Sequence, residues 1–408
     1  MPKKRLFGQP LQYLQYGIFQ HLPAHSILHP LAPVLSCFQS ATGEPAMNAR
    51  ERYIATTTFG QPDRVFLLPP WYWDSTLARW HAEGLPADTY PADYFGTDPL
   101  ASVPVNIGHI GTVYGVIPLD PPFERCVIRE EGDNHIVRVE DGQTVRENSS
   151  APSDSMPEWL EYPLTSREVW QREFLPRLDP HSPGRQLADW PAYTRLMAQR
   201  TYPLGIWTGS FWGRLQTWMG LPRLSLAFYD EPVWIHEMNE YLCWFVMELC
   251  HPALDALQLD YAYIWEDLGM KSGPMVSPRL FREFMLPYYV KLTRFLREHG
   301  VEVIIVDSDG QNGPIIPLWL EAGVNGLRPL EAAAGEDPVA LRRLYGQRLV
   351  LEGGIDKRVL AGTIEEIEAH VLGRVPWLLT QGGYLPQVDH LVPPDVPFAN
   401  YCYYWQLI

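Results

Sequence analysis

Short apolar runs alternate with longer amphipathic stretches along most of the chain, and this alternation constrains the fold more than any other feature. Short apolar runs predict buried strands, and apolar residues three or four positions apart predict helices. Eight candidate strands can be read from the sequence: Arg64–Leu68, Val103–Ile107, Pro203–Trp207, Tyr261–Trp265, Glu302–Val306, Val324–Leu327, Leu349–Leu351 and Gly383–Leu385. Because helix-like stretches follow the strands of the second half, we predict an α/β protein with a parallel sheet closed into a (β/α)8 TIM barrel.

Some of the helix ends are readable. Ser277 followed by Pro278 predicts a helix start, and the apolar spacing that follows predicts one helix ending at Gly300. Thr363 and Glu366 form the pattern of a capping box, in which each side chain bonds the other's backbone N–H.

Two segments fall outside the alternation. Residues 1–46 are rich in His, Pro and Gln without a clear period, so we predict an N-terminal extension followed by a barrel over residues 47–408. Within about residues 112–165, two short apolar runs flank Gly132-Asp133-Asn134. This pattern predicts a small β-hairpin insertion near the mouth of the barrel.

Charge and cysteine content exclude several classes of protein. The chain has 32 Lys+Arg against 48 Asp+Glu, a formal charge of −16, which argues against nucleic-acid binding. No run reaches the roughly 18 apolar residues of a membrane span. The five cysteines include no CxxC pair, so we expect neither a disulfide framework nor a thiolate zinc site. Such cysteine usage predicts a cytoplasmic location.

Acidic residues follow several of the predicted strands. The active sites of (β/α)8 enzymes lie at the carboxyl ends of the strands, so these residues would share one mouth. The set comprises seven acids and three basic residues: Glu266, Asp267, Asp307, Asp309, Glu331, Glu352 and Asp389, with Arg328, Lys357 and His390. Carboxylates that close together need either a counter-charge or a bound proton.

The sequence leaves the nature of that compensation open. A divalent metal (Mg, Mn or Zn) would suit oxygen ligands with one imidazole, and its candidate ligands are Asp307, Asp309, Asp389 and His390. A cationic substrate or the basic residues themselves would serve as well. Alternatively, one carboxyl group stays protonated and acts as a general acid. The run Asp307 to Gly310 also fits a turn that merely ends a strand.

The C-terminal half carries an ordered set of motifs. They are Glu266 to Gly269, Lys271 to Pro274, Ser277-Pro278, Phe281 to Tyr288, Val301 to Gly310, Ile316 to Leu318, Gly353 to Asp356, Gly382 to Tyr384 and Pro393 to Pro397. Through these motifs the chain, from about Met47 to the end, resembles the uroporphyrinogen decarboxylase superfamily, which also contains the methylcobalamin:coenzyme M methyltransferases and whose members are (β/α)8 barrels.

The chain departs from both branches at specific places. Asp307-Ser308-Asp309-Gly310 stands where the methyltransferases have His-x-Cys-Gly, and the eighth loop carries Asp389-His390 instead of a cysteine. The resemblance therefore implies a hard-metal or metal-free site. The arginine-rich stretch of the decarboxylases is replaced by Phe66 to Asp74, and an acidic mouth would repel a substrate with eight carboxylates.

The resemblance implies an enzyme, and a corrinoid-linked methyltransferase is the leading expectation. Its catalytic residues would be Glu266, Asp267, Asp307 and Asp309. Its small-molecule substrate would contact Trp71, Trp73, Phe211, Arg328, Glu352 and Lys357. The corrinoid would reside on a partner protein, and superfamily members often form homodimers. The alternatives are a decarboxylase (lyase) acting on a tetrapyrrole such as uroporphyrinogen or on another carboxylic acid, and a non-catalytic cofactor-binding barrel.

Overall fold

The structure is a computed structural model that describes residues 46–103, 109–110, 116–148, 156–185 and 189–408. Nearly all of the predicted N-terminal extension, and parts of the insertion, lie outside these ranges. The proposed boundaries of the extension and of the barrel therefore remain predictions.

A curled parallel sheet of seven strands forms the centre of the described fold. Its strands are β1 (Ala101–Ser102), β8 (Leu204–Trp207), β9 (Tyr261–Trp265), β12 (Val303–Asp307), β13 (Gly326–Arg328), β14 (Val350–Glu352) and β15 (Tyr384–Leu385). They lie side by side in this order, and every neighbouring pair is parallel. The remaining strands are β2 (His109–Ile110), β3 (Val116–Ile117), β4 (Cys126–Glu131), β5 (Asn134–Arg138), β6 (Thr144–Asn148), β7 (Glu158–Glu161), β10 (Gly269–Met270) and β11 (Gly273–Pro274). The expected α/β barrel class is confirmed.

The first predicted strand, Arg64–Leu68, is wrong as a hydrogen-bonded strand, and the second begins earlier than predicted, at Ala101. Residues 64–68 are extended but pair with no strand of the sheet. Instead, the N–H of Leu67 donates to the carboxylate of Asp98, and the N–H of Asp98 donates to the carbonyl of Leu67. The segment still lies in the eighth position of the ring, because Gln387, just after β15, donates to the carbonyl of Pro69 at 3.0 Å. Phe66 and Leu68 of this segment are buried in one apolar cluster with Leu385 of β15.

The sheet separates two apolar cores. Tyr261 and Tyr263 of β9 face an inner cluster that also contains Phe66 and Leu68. The alternate residues of the same strand belong to the larger outer cluster, which packs against the helices. This alternation is the period of two expected for a strand buried on both faces.

Helices surround the sheet; Ala49 and Tyr53 of the first one join the inner cluster, whereas several of the others pack on the outer face. Their bounds are α1 (Ala49–Thr57), α2 (Asp74–Glu83), α3 (Pro91–Tyr94), α4 (Arg167–Val169), α5 (Trp190–Met197), α6 (Trp212–Met219), α7 (Leu221–Asp230), α8 (Pro232–Ala256), α9 (Pro278–Phe284), α10 (Leu286–Glu298), α11 (Ile316–Ala322), α12 (Pro338–Tyr345), α13 (Lys357–Leu360), α14 (Ile364–Leu372), α15 (Val375–Gln381) and α16 (Phe398–Leu407). Among the described residues, no helix combines the length and the apolar character that crossing a membrane requires.

The predicted caps are confirmed, and one predicted helix is divided. Ser277 accepts a bond from the N–H of Leu280, and Thr363 and Glu366 form the capping box. The single helix expected up to Gly300 breaks at Met285, so that α9 and α10 are separate. Pro287 lies in the first turn of α10, where its missing N–H costs no helical bond.

The hairpin predicted around Gly132 is confirmed and belongs to a larger antiparallel sheet of β4 to β7. This sheet is anchored on α6. Gln143 donates to the carbonyl of Thr217 at 2.7 Å, and the indole of Trp218 donates to the buried carboxylate of Asp141 at 3.3 Å. Because α6 follows the barrel strand β8, these contacts place the insertion beside that part of the barrel.

Candidate active site

Three charged residues end neighbouring barrel strands. Asp307 is the last residue of β12 and is paired in register with Trp265 on one side and Arg328 on the other. Glu352 ends β14, the next strand along. Parallel strands end at one edge of a sheet, so the three side chains meet at the carboxyl end of the barrel, where (β/α)8 enzymes place their active sites.

Arg328 joins these side chains into one network. Its guanidinium lies 3.3 Å from Asp307 and 2.8 Å from Glu352, and only 1% of its side chain is exposed. Tyr263 donates to the other oxygen of Glu352 at 2.8 Å. The guanidinium also lies 5.0 Å from the ring of Trp71 and 4.9 Å from that of Tyr263. Arg328 is therefore held by two carboxylates and two aromatic rings.

The loops that follow β9 and β12 touch each other closely. A Cβ at Gly310 would lie 2.2 Å from the carbonyl carbon of Gly269, and Gly310 has a φ of 77°. Leu268 donates its N–H to the hydroxyl of Ser308 at 3.0 Å. The run Asp307 to Gly310 is thus a tight loop contact as well as a source of acids, and the contact brings Asp267 towards Asp309.

Asp309 forms an ion pair with His390, with 3.2 Å between the carboxylate oxygen and Nε2. Trp71 stacks on the imidazole, with 5.4 Å between the ring centres. Burial works against protonation of His390, but the bond to Asp309 and its charge outweigh burial and raise the pKa of His390 above its ordinary value. The imidazole is thereby favoured in its charged form.

Asp267 differs from the other acids of the mouth in backbone and in charge. Its φ is 50°, a left-handed conformation that is uncommon for a residue other than glycine. Burial, followed by the charges of Asp309 and Asp307, raises the pKa of Asp267 to about 7. Strained backbone and a strongly shifted carboxyl group at one position are typical of functional sites.

Burial also raises the pKa of Asp307, to about 6, although the nearby charge of Arg328 opposes the shift. Both carboxyl groups therefore hold a proton more readily than an ordinary aspartate does, and Asp267 does so more readily than Asp307. Because the two groups interact, Asp267 is the preferred position for a proton.

Asp389 lies on the other side of the mouth and is fully buried. Its two oxygens accept the N–H groups of Ala332 at 2.9 Å and Lys357 at 3.1 Å, and the ammonium of Lys357 is 4.0 Å away. The neighbouring Glu331 accepts the N–H of Gly310 at 3.0 Å. Asp389 and Glu331 thus connect the loops around the mouth.

Glu266 faces away from these acids, towards the start of α6. Its fully buried carboxylate accepts the backbone N–H groups of Phe211 at 2.9 Å, Trp212 at 2.7 Å and Gly213 at 3.1 Å. The hydroxyls of Ser210 and Tyr289 also donate to it. Burial raises the pKa of Glu266, while the bonds oppose the shift. In this arrangement Glu266 positions the loop after β8, although we had expected a catalytic acid.

We expect Glu266→Gln to lower the free energy of unfolding by about 1–3 kcal/mol, because its amide NH₂ would face buried N–H donors and leave one of them unsatisfied. Urea denaturation measures the change. Glu298→Gln, at an exposed position in the last turn of α10, is the control and should be neutral. Equal stability of Glu266→Gln and wild type would show that the carboxylate does not hold the start of α6.

The three aromatic residues expected to bind substrate lie in different places in the structure. Trp71 lies at the mouth, against Arg328 and His390. Trp73 immediately precedes α2 and is partly exposed. Phe211 is buried and packs on Tyr289, with 5.2 Å between ring centres, so it belongs to the core next to Glu266.

Tyr263 and Trp207 were missed by the sequence analysis. The registered pair places Trp207 of β8 beside Tyr263 of β9, with 4.8 Å between ring centres. A signal was present, because large aromatic residues recur at every second position of β9, from Tyr261 to Trp265. That period marks one face of a strand.

The residues expected to bind a metal do not fit one as they are arranged. Asp307 faces Arg328, and the Nε2 atom of His390 faces Asp309. Both oxygens of Asp389 accept backbone N–H groups. A metal ion would have to displace these partners. A metal at the mouth stays a prediction.

Comparison with known proteins identifies the C-terminal part of the chain. Residues 224–408 match the family described as Uroporphyrinogen decarboxylase (URO-D). The uroporphyrinogen decarboxylase of Pseudoalteromonas translucida (strain TAC 125) is 25% identical over 244 residues, which cover 55% of this chain and 64% of that protein. That of Chlorobium luteolum (strain DSM 273 / BCRC 81028 / 2530) is 30% identical over 125 residues, which cover 29% of this chain and 34% of that protein. The chain thus matches less than two thirds of the length of either relative.

A solved structure shares the fold along most of the chain. A methyltransferase from Methanosarcina mazei superposes with a TM-score of 0.55 at 13% sequence identity, covering 88% of this chain and 98% of that one. At this identity the likeness concerns the fold alone. Residues 224–408 thus match the uroporphyrinogen decarboxylase family, in agreement with the resemblance that the C-terminal motifs predicted.

Proposed function

We propose that this chain is a corrinoid-linked methyltransferase in which Asp267 donates a proton to the leaving group of the methyl donor. The observation that carries the proposal is a carboxyl group with a pKa of about 7, held at the mouth beside Asp307 and Asp309. A general acid works best when its pKa lies near the working pH. Superfamily membership and the methyltransferase fold neighbour support an enzyme.

The reaction would need one proton and one acceptor. The bond between the methyl carbon and its oxygen or nitrogen breaks, and the heteroatom takes the proton of Asp267. A corrinoid on a partner protein would supply the acceptor of the methyl group. The negative charges of Asp309 and Asp307, which raise the pKa of Asp267, would favour the proton on Asp267 before reaction.

The charges around the proton of Asp267 favour a methyl donor whose oxygen or nitrogen becomes more basic as the methyl group leaves. Six carboxyl groups and three basic groups line the mouth, so negative charge exceeds positive even when His390 is protonated. A neutral aromatic methyl ether or a methylated amine fits this field better than a polycarboxylate does. Trp71 and Trp73 are the aromatic residues proposed to contact such a donor.

Decarboxylation is the second candidate, and the curated relatives favour it because they are named uroporphyrinogen decarboxylases. In this reaction the carbon–carbon bond to the carboxylate breaks, carbon dioxide leaves, and Asp267 protonates the carbon. Lys357, whose side chain is 22% exposed, would bind the substrate carboxylate. Both candidates use the same acid and differ in the atom that receives the proton.

Turnover in D₂O distinguishes the candidates. For methyl transfer, the protein is mixed with reduced cobalamin and a panel of aromatic methyl ethers and methylamines, and the corrinoid absorption spectrum is followed. We expect a spectral change with a demethylated product that carries no deuterium on carbon. Carbon-bound deuterium in the product of a carboxylic acid, with release of carbon dioxide, would indicate a lyase. Failure of both assays would favour the non-catalytic binding barrel.

We expect kcat/KM to fall as the pH rises through about 7, because the acid form of Asp267 is the active form and is lost above its pKa. The same raised pKa predicts that this group contributes less to stability as the pH rises from about 4 to about 7, since the folded state then binds the extra proton. Steady-state rates from pH 5 to 9 measure the first effect. A rate that stays constant across pH 7 would contradict the assignment of Asp267.

The corrinoid protein partner, a homodimer and a cytoplasmic location remain predictions of the family resemblance. Copurification with corrinoid proteins and the molecular mass in solution are the measurements that address the first two.

A further inference from the structure

A second cluster of metal-ligating side chains lies on the outer helices of the barrel. His251 and Asp255 belong to the last two turns of α8, and His299 follows the end of α10. One ligand atom from each residue lies within 4.8 Å of the other two. Among the described residues, this is the group of three or more His, Cys, Asp or Glu side chains whose ligand atoms lie close enough together to hold one metal ion. It uses none of the residues of the mouth.

The distances suit a shared cation better than direct hydrogen bonds. Asp255 lies between the two imidazoles: the Nε2 atom of His251 is 3.6 Å from one of its carboxylate oxygens, and that of His299 is 3.6 Å from the other. Hydrogen bonds between nitrogen and oxygen seldom exceed 3.2 Å. Two ligands about 2.0–2.1 Å from a tetrahedral metal lie roughly 3.3 Å apart, so each separation is close to that of two ligands on one ion when the carboxylate uses both oxygens.

The tautomer of His299 leaves a lone pair on Nε2, the ring nitrogen that faces the site. Its Nδ1 atom lies 2.8 Å from the carbonyl oxygen of Phe295, which can only accept, so Nδ1 carries the hydrogen. In neutral His299 the Nε2 atom is then the acceptor, and it faces Asp255. Histidines that bind metals are commonly oriented by such a bond from the second ring nitrogen.

The geometry and the dipoles of α8 and α10 favour the binding of a cation by these three residues. His251 and Asp255 are four residues apart and therefore share one face of α8. The cluster lies at the carboxyl ends of two helices, where the helix dipole is negative and favours a cation. The side chains of His251, Asp255 and His299 are 50%, 63% and 20% exposed, which leaves room for water as a fourth ligand.

We infer that His251, Asp255 and His299 form a site for a divalent transition-metal ion with the preferences of Zn²⁺, linking the carboxyl ends of α8 and α10. Two imidazoles and one carboxylate are a donor set that Zn²⁺ favours. An ion bound there would join two helices that pack on the barrel, and it would stabilise the folded state by an amount that grows with the logarithm of its concentration once that concentration exceeds the dissociation constant. The inference is independent of the reaction at the mouth.

Zinc titration of the full chain tests this inference. By isothermal titration calorimetry, we expect one Zn²⁺ per chain, and a loss of at least about tenfold in affinity in His251→Ala and in Asp255→Asn. His181→Ala, which removes an exposed imidazole elsewhere, and His390→Ala, which changes the mouth, should keep the wild-type affinity at this site.

Thermal unfolding gives a second readout that does not depend on activity. Zn²⁺ should raise the melting temperature of the wild type and of His390→Ala but not that of His251→Ala. The inference is overturned if the wild type shows no saturable Zn²⁺ binding, or if His251→Ala and Asp255→Asn bind Zn²⁺ as tightly as the wild type. Loss of binding in His390→Ala alone would place the zinc at the mouth and would also overturn it.

Discussion

Asp267→Asn should lower kcat/KM by about 10²–10⁴-fold, the range that a positioned general acid contributes. The fall in rate above pH 7 should disappear with it, because the group that titrates is gone. The fold should be retained, since asparagine tolerates the left-handed backbone at this position better than most residues do. Steady-state kinetics across pH, with the melting temperature as a check on folding, measures both effects.

Asp307→Asn distinguishes an acid from the charges around it. Removing the negative charge of Asp307 should lower the pKa of Asp267, so the fall in rate should move to lower pH and persist there. Asp93→Asn, an exposed aspartate in α3, is the matched control and should leave the profile unchanged. If Asp267→Asn retains both the wild-type rate and the fall above pH 7, another group donates the proton.

Arg328→Leu should lower the free energy of unfolding by about 3–5 kcal/mol, the usual cost of removing one partner of a buried ion pair. Arg328 is 1% exposed, and its loss leaves Glu352 and Asp307 without their cation. Two aromatic contacts, with Trp71 and Tyr263, would be lost at the same time. Urea denaturation at pH 7 measures the change.

A double-mutant cycle checks that the effect arises from charge. Arg328→Leu combined with Glu352→Gln should be less destabilised than the sum of the single variants, because no full charge then remains at Glu352. Arg328→Lys should recover part of the loss by keeping the positive charge while losing the geometry of the guanidinium. A loss below about 1 kcal/mol in Arg328→Leu would contradict a role for this network in stability.

The carboxyl-end position of Asp307, Arg328 and Glu352 was predictable from the sequence. Each ends a short apolar run, and the ends of parallel strands share one edge of a sheet. Their pairing was not predictable, because it depends on the register of β12, β13 and β14. For this reason the sequence left open whether Arg328 bound substrate or balanced the local acids.

For the adjacent residues Glu266 and Asp267 too, the position was predictable from the sequence, but the partners of each side chain were not. In the sequence they form one acidic pair at the end of β9, and both were expected to be catalytic. In the structure one carboxylate accepts the N–H groups at the start of α6, while the other faces Asp309 and Asp307. Successive side chains after a strand diverge, and only the neighbouring loops decide what each one meets.

The cluster of His251, Asp255 and His299 was not recognised in the sequence at all. His251 and Asp255 have a helical spacing, but His299 follows the end of another helix. Contact between these residues depends on how α8 and α10 pack, and side-chain packing between helices leaves no spacing that can be read along the chain.

The sequence by itself determined the class of the fold, the resemblance of its C-terminal part to a family, and the ends of strands at which acids would gather, because period, capping and motif order are local properties of the chain. The tertiary structure decided which acid holds a proton, which one positions a helix and which aromatic rings surround Arg328. Those outcomes depend on burial and on distances between residues far apart in sequence, and both arise only when the strands and their loops are brought together.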